Sequence, residues 1–428
     1  MRLLTIFIFS IFTCLSYSQN TSKNPFEKTA SSFYNKAFGK DTLEKEYSFI
    51  IQDTPSSLFT MRQSNENFLN IYRIGVNELN KAIPPSYSLI TQILFQSIFF
   101  MPLTHEEGHR SILTNENIGS VSKPYFNKNL AAYVVGVTDK TLIDLREQNL
   151  PVARRVYTGG LESDYMMLLR ESSLLNWQED SYNVLWMEFM LRKLSMVSYL
   201  TYGLFEVNLG LKEEHNELER DIAGHDLYGF TRALFNPEME FKRYVDYDDL
   251  LSNEKKFIKR LGFRSLLNLI DPNLFFYKGF TIKNKYHINF NLGYSIAPFG
   301  DFIDENIWIK TQSLKAHIYF RQYQNESAWF PAAGTNIHDI NIFQNFYSNV
   351  SVHAWLQPKD LSFTQKEGQF GGAIELLCKY RFPVNKAGKL KGISINLGAI
   401  AKTQGFLPEE VEMRKHFGVN FGTSIWLK

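Results

Sequence analysis

The sequence predicts an α+β protein: a mainly helical region over 19–272, then an antiparallel β meander over 273–428. The helical part is predicted by apolar residues recurring at a spacing near 3.6 through 141–270, among them Leu168, Leu169, Trp177, Leu185, Trp186, Phe189, Met190, Leu194, Val197 and Leu200. Around Pro272 to Tyr286 the composition changes, and beyond it the apolar period becomes two: Ile288, Phe290, Leu292, Tyr294 and Ile296 alternate with polar or small residues. Aromatic content is also high, with 36 Phe and 22 Tyr, which in an exported chain leans toward β-rich structure or contact with lipid.

Export is expected from the N-terminus. Met1 and Arg2 precede the apolar run Leu3 to Leu15 and then Ser16-Tyr17-Ser18, the pattern of a secretory signal peptide over 1–18. Cleavage there removes Cys14 and leaves Cys378 as the lone cysteine, so an internal disulfide is excluded. A mature chain of roughly 410 residues exceeds what one core usually organises, and two domains follow, 19–272 and 273–428. The formal net charge of +2 gives no reason to propose nucleic acid as a partner.

Residues 20–45 are polar and read as a loosely held lead-in. A helix is expected over 62–82, ending before Pro84-Pro85. Ser86 to Thr104 carries no charge and is rich in Leu, Ile and Phe; it reads as a buried core helix behind the segment that follows, with a membrane helix as the other reading. Pro102 either opens a fresh helix or kinks the existing one. In the C-terminal half, alternation recurs at 314–321, 350–356, 374–382, 393–401 and 417–427, a meander of about six to eight strands. The same pattern fits a soluble sheet with one buried face or a small outer-membrane β-barrel with its apolar face toward lipid.

The chemistry concentrates in His105-Glu106-Glu107-Gly108-His109, an H-E-x-x-H string. Positions i and i+4 of a helix share a face, so both imidazoles can meet one Zn²⁺ while Glu106 reaches its water. Chance produces this string roughly 0.01 times per chain of this composition. The bland alternative is a polar surface turn that carries two histidines. Glu107 is expected to point away, one position further round the helix.

A catalytic zinc needs a third protein ligand and an open position. The first candidate is Glu162, in Thr158-Gly159-Gly160-Leu161-Glu162-Ser163-Asp164, where the glycines read as an entry turn and the acids as the first turn of a helix. The second is His225, in Asp221-Ile222-Ala223-Gly224-His225-Asp226, either as a ligand or as a substrate-binding residue, with Asp226 beside it as a substrate or second-layer candidate.

These motifs resemble the zincin metallopeptidases, and within them the glutamate zincins, whose third ligand is a Glu on a helix downstream of H-E-x-x-H. The resemblance implies His105, His109 and Glu162 as zinc ligands, Glu106 as general base and Asp164 as the group holding a ligand histidine, although Asp164 follows Glu162 at two residues where some of those families have four. It covers two short motifs within about 60 residues. Site-2-type proteases are similar in placing H-E-x-x-H beside an apolar segment, but the chain lacks their L-D-G partner motif. The expected function is a cell-envelope zinc metallopeptidase, in the periplasm or outer membrane, acting on protein or peptide substrates, with membrane contact through the β region. The alternative is a non-catalytic structural or assembly subunit of an outer-membrane protein complex that keeps a peptidase-like fold.

Overall fold

Antiparallel pairing joins ten strands of the described residues into one sheet: β1 (Lys45–Asp53), β4 (Phe280–Ile282), β5 (Tyr286–Ala297), β6 (Gly300–Lys310), β7 (Lys315–Gln324), β8 (Trp329–Phe343), β9 (Phe346–Pro358), β10 (Gly368–Pro383), β11 (Leu390–Lys402) and β12 (His416–Leu427). The structure is a computed structural model that describes residues 44–54, 59–123, 132–283, 285–384 and 388–428. The expected signal peptide, with Cys14, and most of the polar lead-in lie outside the described residues. The sheet runs in sequence order from β4 to β12 and then returns to β1, which pairs with β12 from Lys45 against Leu427 to Asp53 against Asn420.

The sheet does not close into a barrel. β1 ends it on one side because that strand's outer edge is already satisfied by a helix, α1 (Met61–Ala82), begun by Thr60, whose hydroxyl accepts from the Gln63 N–H at 3.1 Å. Asn67 accepts from the Ile50 N–H and donates to the Ile50 carbonyl, both at 2.9 Å; Gln63 donates to the Ile51 carbonyl at 2.8 Å and Asn70 to that of Ser48 at 2.6 Å. An edge strand whose backbone groups are met by amide side chains offers nothing for another strand to pair with. On the other side β4 ends the sheet after three residues.

The two faces of the sheet are inverted relative to a soluble sandwich. One register row, Phe290, Ile307, Ile318, Thr335, Val352, Ile374, Ala401 and Phe417, points outward, and Phe290, Val352, Ile374 and Phe417 are exposed. The neighbouring row, Asn289, Trp308, His317, Asn336, Ser351, Glu375, Ile400 and Gly418, points inward, toward the helices. Inside lies a cavity of about 720 Å³, lined by side chains such as Asp304, His317, Arg321, His353, Lys379 and Asn396, together with Arg73 from α1. Because β1 and β6 to β12 all contribute to that one cavity, the sheet wraps around it.

The helical part is α2 (Pro85–Phe95), α3 (Met101–Asn115), α4 (Asp139–Gln148), α5 (Leu150–Asn176), α6 (Tyr182–Leu200), α7 (Asp226–Phe235) and α8 (Ser252–Ser265), with a small hairpin of β2 (Val121–Lys123) and β3 (Tyr133–Val135). α2 and α3 form one continuous rod through a wide π turn at Gln96–Phe100. Pro102 has no N–H and crowds the carbonyl four residues back, and the π turn absorbs that conflict just ahead of His105. The expectation of a buried core helix at 86–104 is corrected here. Leu89 and Ile93 pack against Met187, Met190 and Leu191, but Leu94, Phe95, Ile98 and Phe99 on the other side are exposed.

α5 runs through the middle of the molecule and packs against α3, α6, α7 and β5. Gly159 and Gly160, expected to form an entry turn, stand inside this helix instead. They are there because α3 crosses α5 at this point: a Cβ on Gly108 would lie 2.3 Å from the Gly159 carbonyl oxygen, and one on Gly159 would lie 2.7 Å from Ile112 Cδ1. The cost of glycine in a helix, about 1 kcal/mol each, is offset by the close approach it permits.

Candidate metal centre

The α3–α5 crossing brings His105 over the α5 backbone and fixes its ring. His105 Nδ1 lies 2.8 Å from Asp164 Oδ2, and His109 Nδ1 lies 2.5 Å from the Val156 carbonyl oxygen. Carboxylates and carbonyls accept only, so both Nδ1 atoms carry hydrogen, and each Nε2 is the atom left to bind a metal. Both Nε2 atoms face the same oxygen: Asp226 Oδ2 is 3.0 Å from that of His105 and 3.2 Å from that of His109. Nitrogen and oxygen ligands roughly 2.0–2.1 Å from a tetrahedral centre lie about 3.3 Å apart, so His105, His109 and Asp226 have the chemistry and spacing of a three-ligand metal site. No protein-family model, curated protein or solved structure matches the chain.

Asp226 reaches the site from the first residue of α7, after the left-handed turn at Gly224 (φ +63°), where a Cβ would lie 2.2 Å from Tyr244. Its own N–H donates to the Tyr199 hydroxyl at 3.1 Å. His225, the neighbouring candidate, is not brought to the metal position. It is buried in a stack of rings, 4.1 Å from Tyr228 and 4.8 Å from Tyr199 between centroids, and burial pushes its pKa down to about 4, so it is a neutral packing element.

Glu162 does not reach the site either. Its carboxylate accepts from Arg155 at 2.6 and 3.0 Å and from the Glu409 N–H at 2.6 Å, and both partners of the ion pair are buried. Arg155 also donates to the Val411 carbonyl at 2.9 Å and covers the Phe406 ring. The physical reason is helical phase: Glu162 and Asp164 are two residues apart, about 200° round the helix, so they face opposite sides of α5. Asp164 faces α3, and its other oxygen accepts from Arg192 of α6 at 2.5 Å; Arg192 in turn donates to Glu188 at 2.6 Å and to the Thr104 hydroxyl at 3.0 Å. The chain His105, Asp164, Arg192, Glu188 thus sets the orientation of the first imidazole.

The charges of the site are tightly linked. Burial disfavours an imidazolium at His109, but the Asp226 carboxylate beside it overrides that and raises its pKa to about 9. Burial likewise opposes charge on Asp226, and the two imidazoles hold its carboxyl well below the usual range. A metal entering here displaces protons from both rings. Glu106 is 8% exposed; burial, opposed by His109 and His105, lifts its pKa to about 7. Glu107 turns away, as its helical position predicts, and pairs with Arg110 at 2.5 Å. Arg110 is buried rather than a solvated charge, with a further bond to the Phe59 carbonyl at 3.0 Å.

Tyr199 and Arg192 carry no motif that sequence reasoning could use, since an aromatic residue and a cation on a long helix read equally as core and surface. Gly160 is the most direct link between packing and the site: a Cβ there would lie 2.2 Å from His105 Nε2. Gly160→Ala is therefore expected to displace the ring and lower metal occupancy at least tenfold, the scale of losing an orienting contact at a metal ligand. Gly75→Ala in α1, where nothing lies within 4 Å, is expected to leave occupancy unchanged. Elemental analysis of the two variants checks both.

Proposed function

We propose that this protein is a zinc-dependent hydrolase that cleaves peptide bonds in the cell envelope. The observation that carries the reading is the convergence of His105 and His109 on Asp226, with the buried carboxyl of Glu106 on the same helix turn. His105, His109 and Asp226 would hold the metal, and Asp164 and the Val156 carbonyl keep the two rings in the tautomer that leaves Nε2 free. When bound, zinc supplies a water acidified toward neutrality and polarises the scissile carbonyl. Glu106, buried on the same helix turn, would take a proton from the attacking water and return it to the departing amine. Two imidazoles and a carboxylate also suit other divalent ions. The buried Glu106 carboxyl beside the ligand histidines favours hydrolysis, and the H-E-x-x-H string favours zinc.

The test is metal analysis of the purified protein alongside peptide cleavage by two variants. Stoichiometric zinc is expected in the natural protein and its loss in His105→Ala. Glu106→Gln is expected to keep the metal and lose about 10²–10⁴-fold in rate, the usual worth of a positioned proton-transfer group. Full activity in Glu106→Gln, or no stoichiometric metal, would overturn the reading; metal without cleavage in the natural protein would favour the structural or assembly role.

A further inference from the structure

We propose that the convex face of the sheet is embedded in lipid, with acyl chains covering it, even though the sheet is open. The inference is independent of the metal site and rests on the inverted faces. The outward register row is apolar on seven of its eight strands, with Thr335 on the eighth, and exposed apolar residues continue beside it at Phe320, Leu376, Ile395, Leu397, Val419 and Phe421. Over β9, β10 and β12 no outward position carries a charge; Lys391 at the start of β11 and Glu305 on β6 are charged, and Asp301 on β6 is covered by Arg260 and Arg264. The inward positions carry the charges and amides that a soluble protein would turn to water. Apolar side chains outside and polar side chains around an internal cavity are the arrangement lipid selects.

Dimensions and curvature agree. β12, at 12 residues, is roughly 40 Å long at about 3.3 Å per residue, and tilted by about 45° it crosses roughly 28 Å, close to the apolar band of about 25 Å in outer-membrane barrels. The sheet wraps around its cavity, so its outer face looks in many directions, and one rigid partner covers only part of it. An open sheet edge in lipid would leave unpaired backbone groups, each costing several kcal/mol. Here the β1 edge is filled by the amides of α1, and β4 presents only three residues. Phe275 and Tyr277 near β4 are also exposed, and Leu274 beside them packs against the cluster that α2 makes with α6.

Cys378 supplies the test without altering the face. It lies on β10 at an outward position, paired with Leu397 and Ser348. The full chain, with Cys14→Ser so that one thiol remains, is labelled at Cys378 with an environment-sensitive fluorophore and reconstituted with phosphatidylethanolamine–phosphatidylglycerol vesicles. The expected result is a label quenched several-fold more strongly by lipids with nitroxide on the acyl chain than by aqueous iodide, in protein that floats with the vesicles. Quenching by iodide without quenching by lipid would overturn the proposal. So would a label shielded from both in a particle of twice the chain mass, which would assign the face to a second copy.

Discussion

Asp226→Ala is expected to lose stoichiometric metal while the fold is retained. Among the described residues the Asp226 carboxylate is the group that reaches both Nε2 atoms, at 3.0 and 3.2 Å, and without it the two histidines are a clamp open on one side. The substitution also removes the anion that holds a proton on His109, so that ring reverts toward the lower pKa that burial favours, while Asp164 still raises that of His105. Folding should survive because His105 keeps Asp164, and His109 keeps the Val156 carbonyl. Metal analysis on protein whose circular dichroism matches the natural chain decides it. Retention of full occupancy would remove Asp226 from the ligand set.

Glu162→Ala is expected to do the reverse, leaving the metal in place and destabilising the protein by about 3–5 kcal/mol, the usual cost of breaking one side of a buried ion pair. Arg155 is fully buried, and without Glu162 its charge is left to two carbonyls and a ring. The loss spreads further because Glu162 also accepts from the Glu409 N–H, and the segment around Glu409 is bound to α1 and α5 through Arg62–Glu410 at 2.7 Å and Arg170–Glu409 at 2.6 Å. Chemical denaturation followed by tryptophan fluorescence measures the shift, and metal content per folded chain completes the contrast. Loss of metal from folded Glu162→Ala would restore it as a ligand.

The two acids show what sequence reading reaches and where it stops. H-E-x-x-H is local, and helical geometry alone places His105 and His109 on one face. The third position is a long-range contact: Asp226 lies 121 residues beyond His105, at a helix N-terminus where an acid is favoured whatever its function. The two glycines before Glu162 imitate a turn in the sequence; only the crossing of α3 over α5 shows that they belong inside a helix. The helix at 62–82 and the alternation of β5, β7 and β9 to β12 were legible because one face of each element is uniform. β6 was obscured by Asp and Asn on its inward face and β8 by Pro331, Gly334 and the bulge near Asp339, whose φ is +54°. β1 sits in a stretch whose partner is at the far end of the chain, a pairing that no local pattern announces.

That pairing of β1 with β12 governs how the protein can be assembled and taken apart. β1 is among the first described segments to leave the ribosome, yet its hydrogen-bonding partner is the last, so closing this contact bears the entropy of a loop longer than 360 residues, as the Thr54–Val419 bond alone spans 365 positions. Until β12 arrives, β1 can hold α1 and, through Lys45–Asp180 at 2.5 Å, the turn between α5 and α6, with its ladder edge unpaired. Scission near residue 272 would therefore not release two self-sufficient halves: the β half would carry a bare β12 edge prone to aggregation, and the helical half would keep an orphan strand. Conversely Lys45 and Leu427 stand side by side, so a short peptide joining these positions, with new termini opened at an exposed turn such as Gln312-Ser313 between β6 and β7, should yield a circularly permuted chain that still completes the sheet.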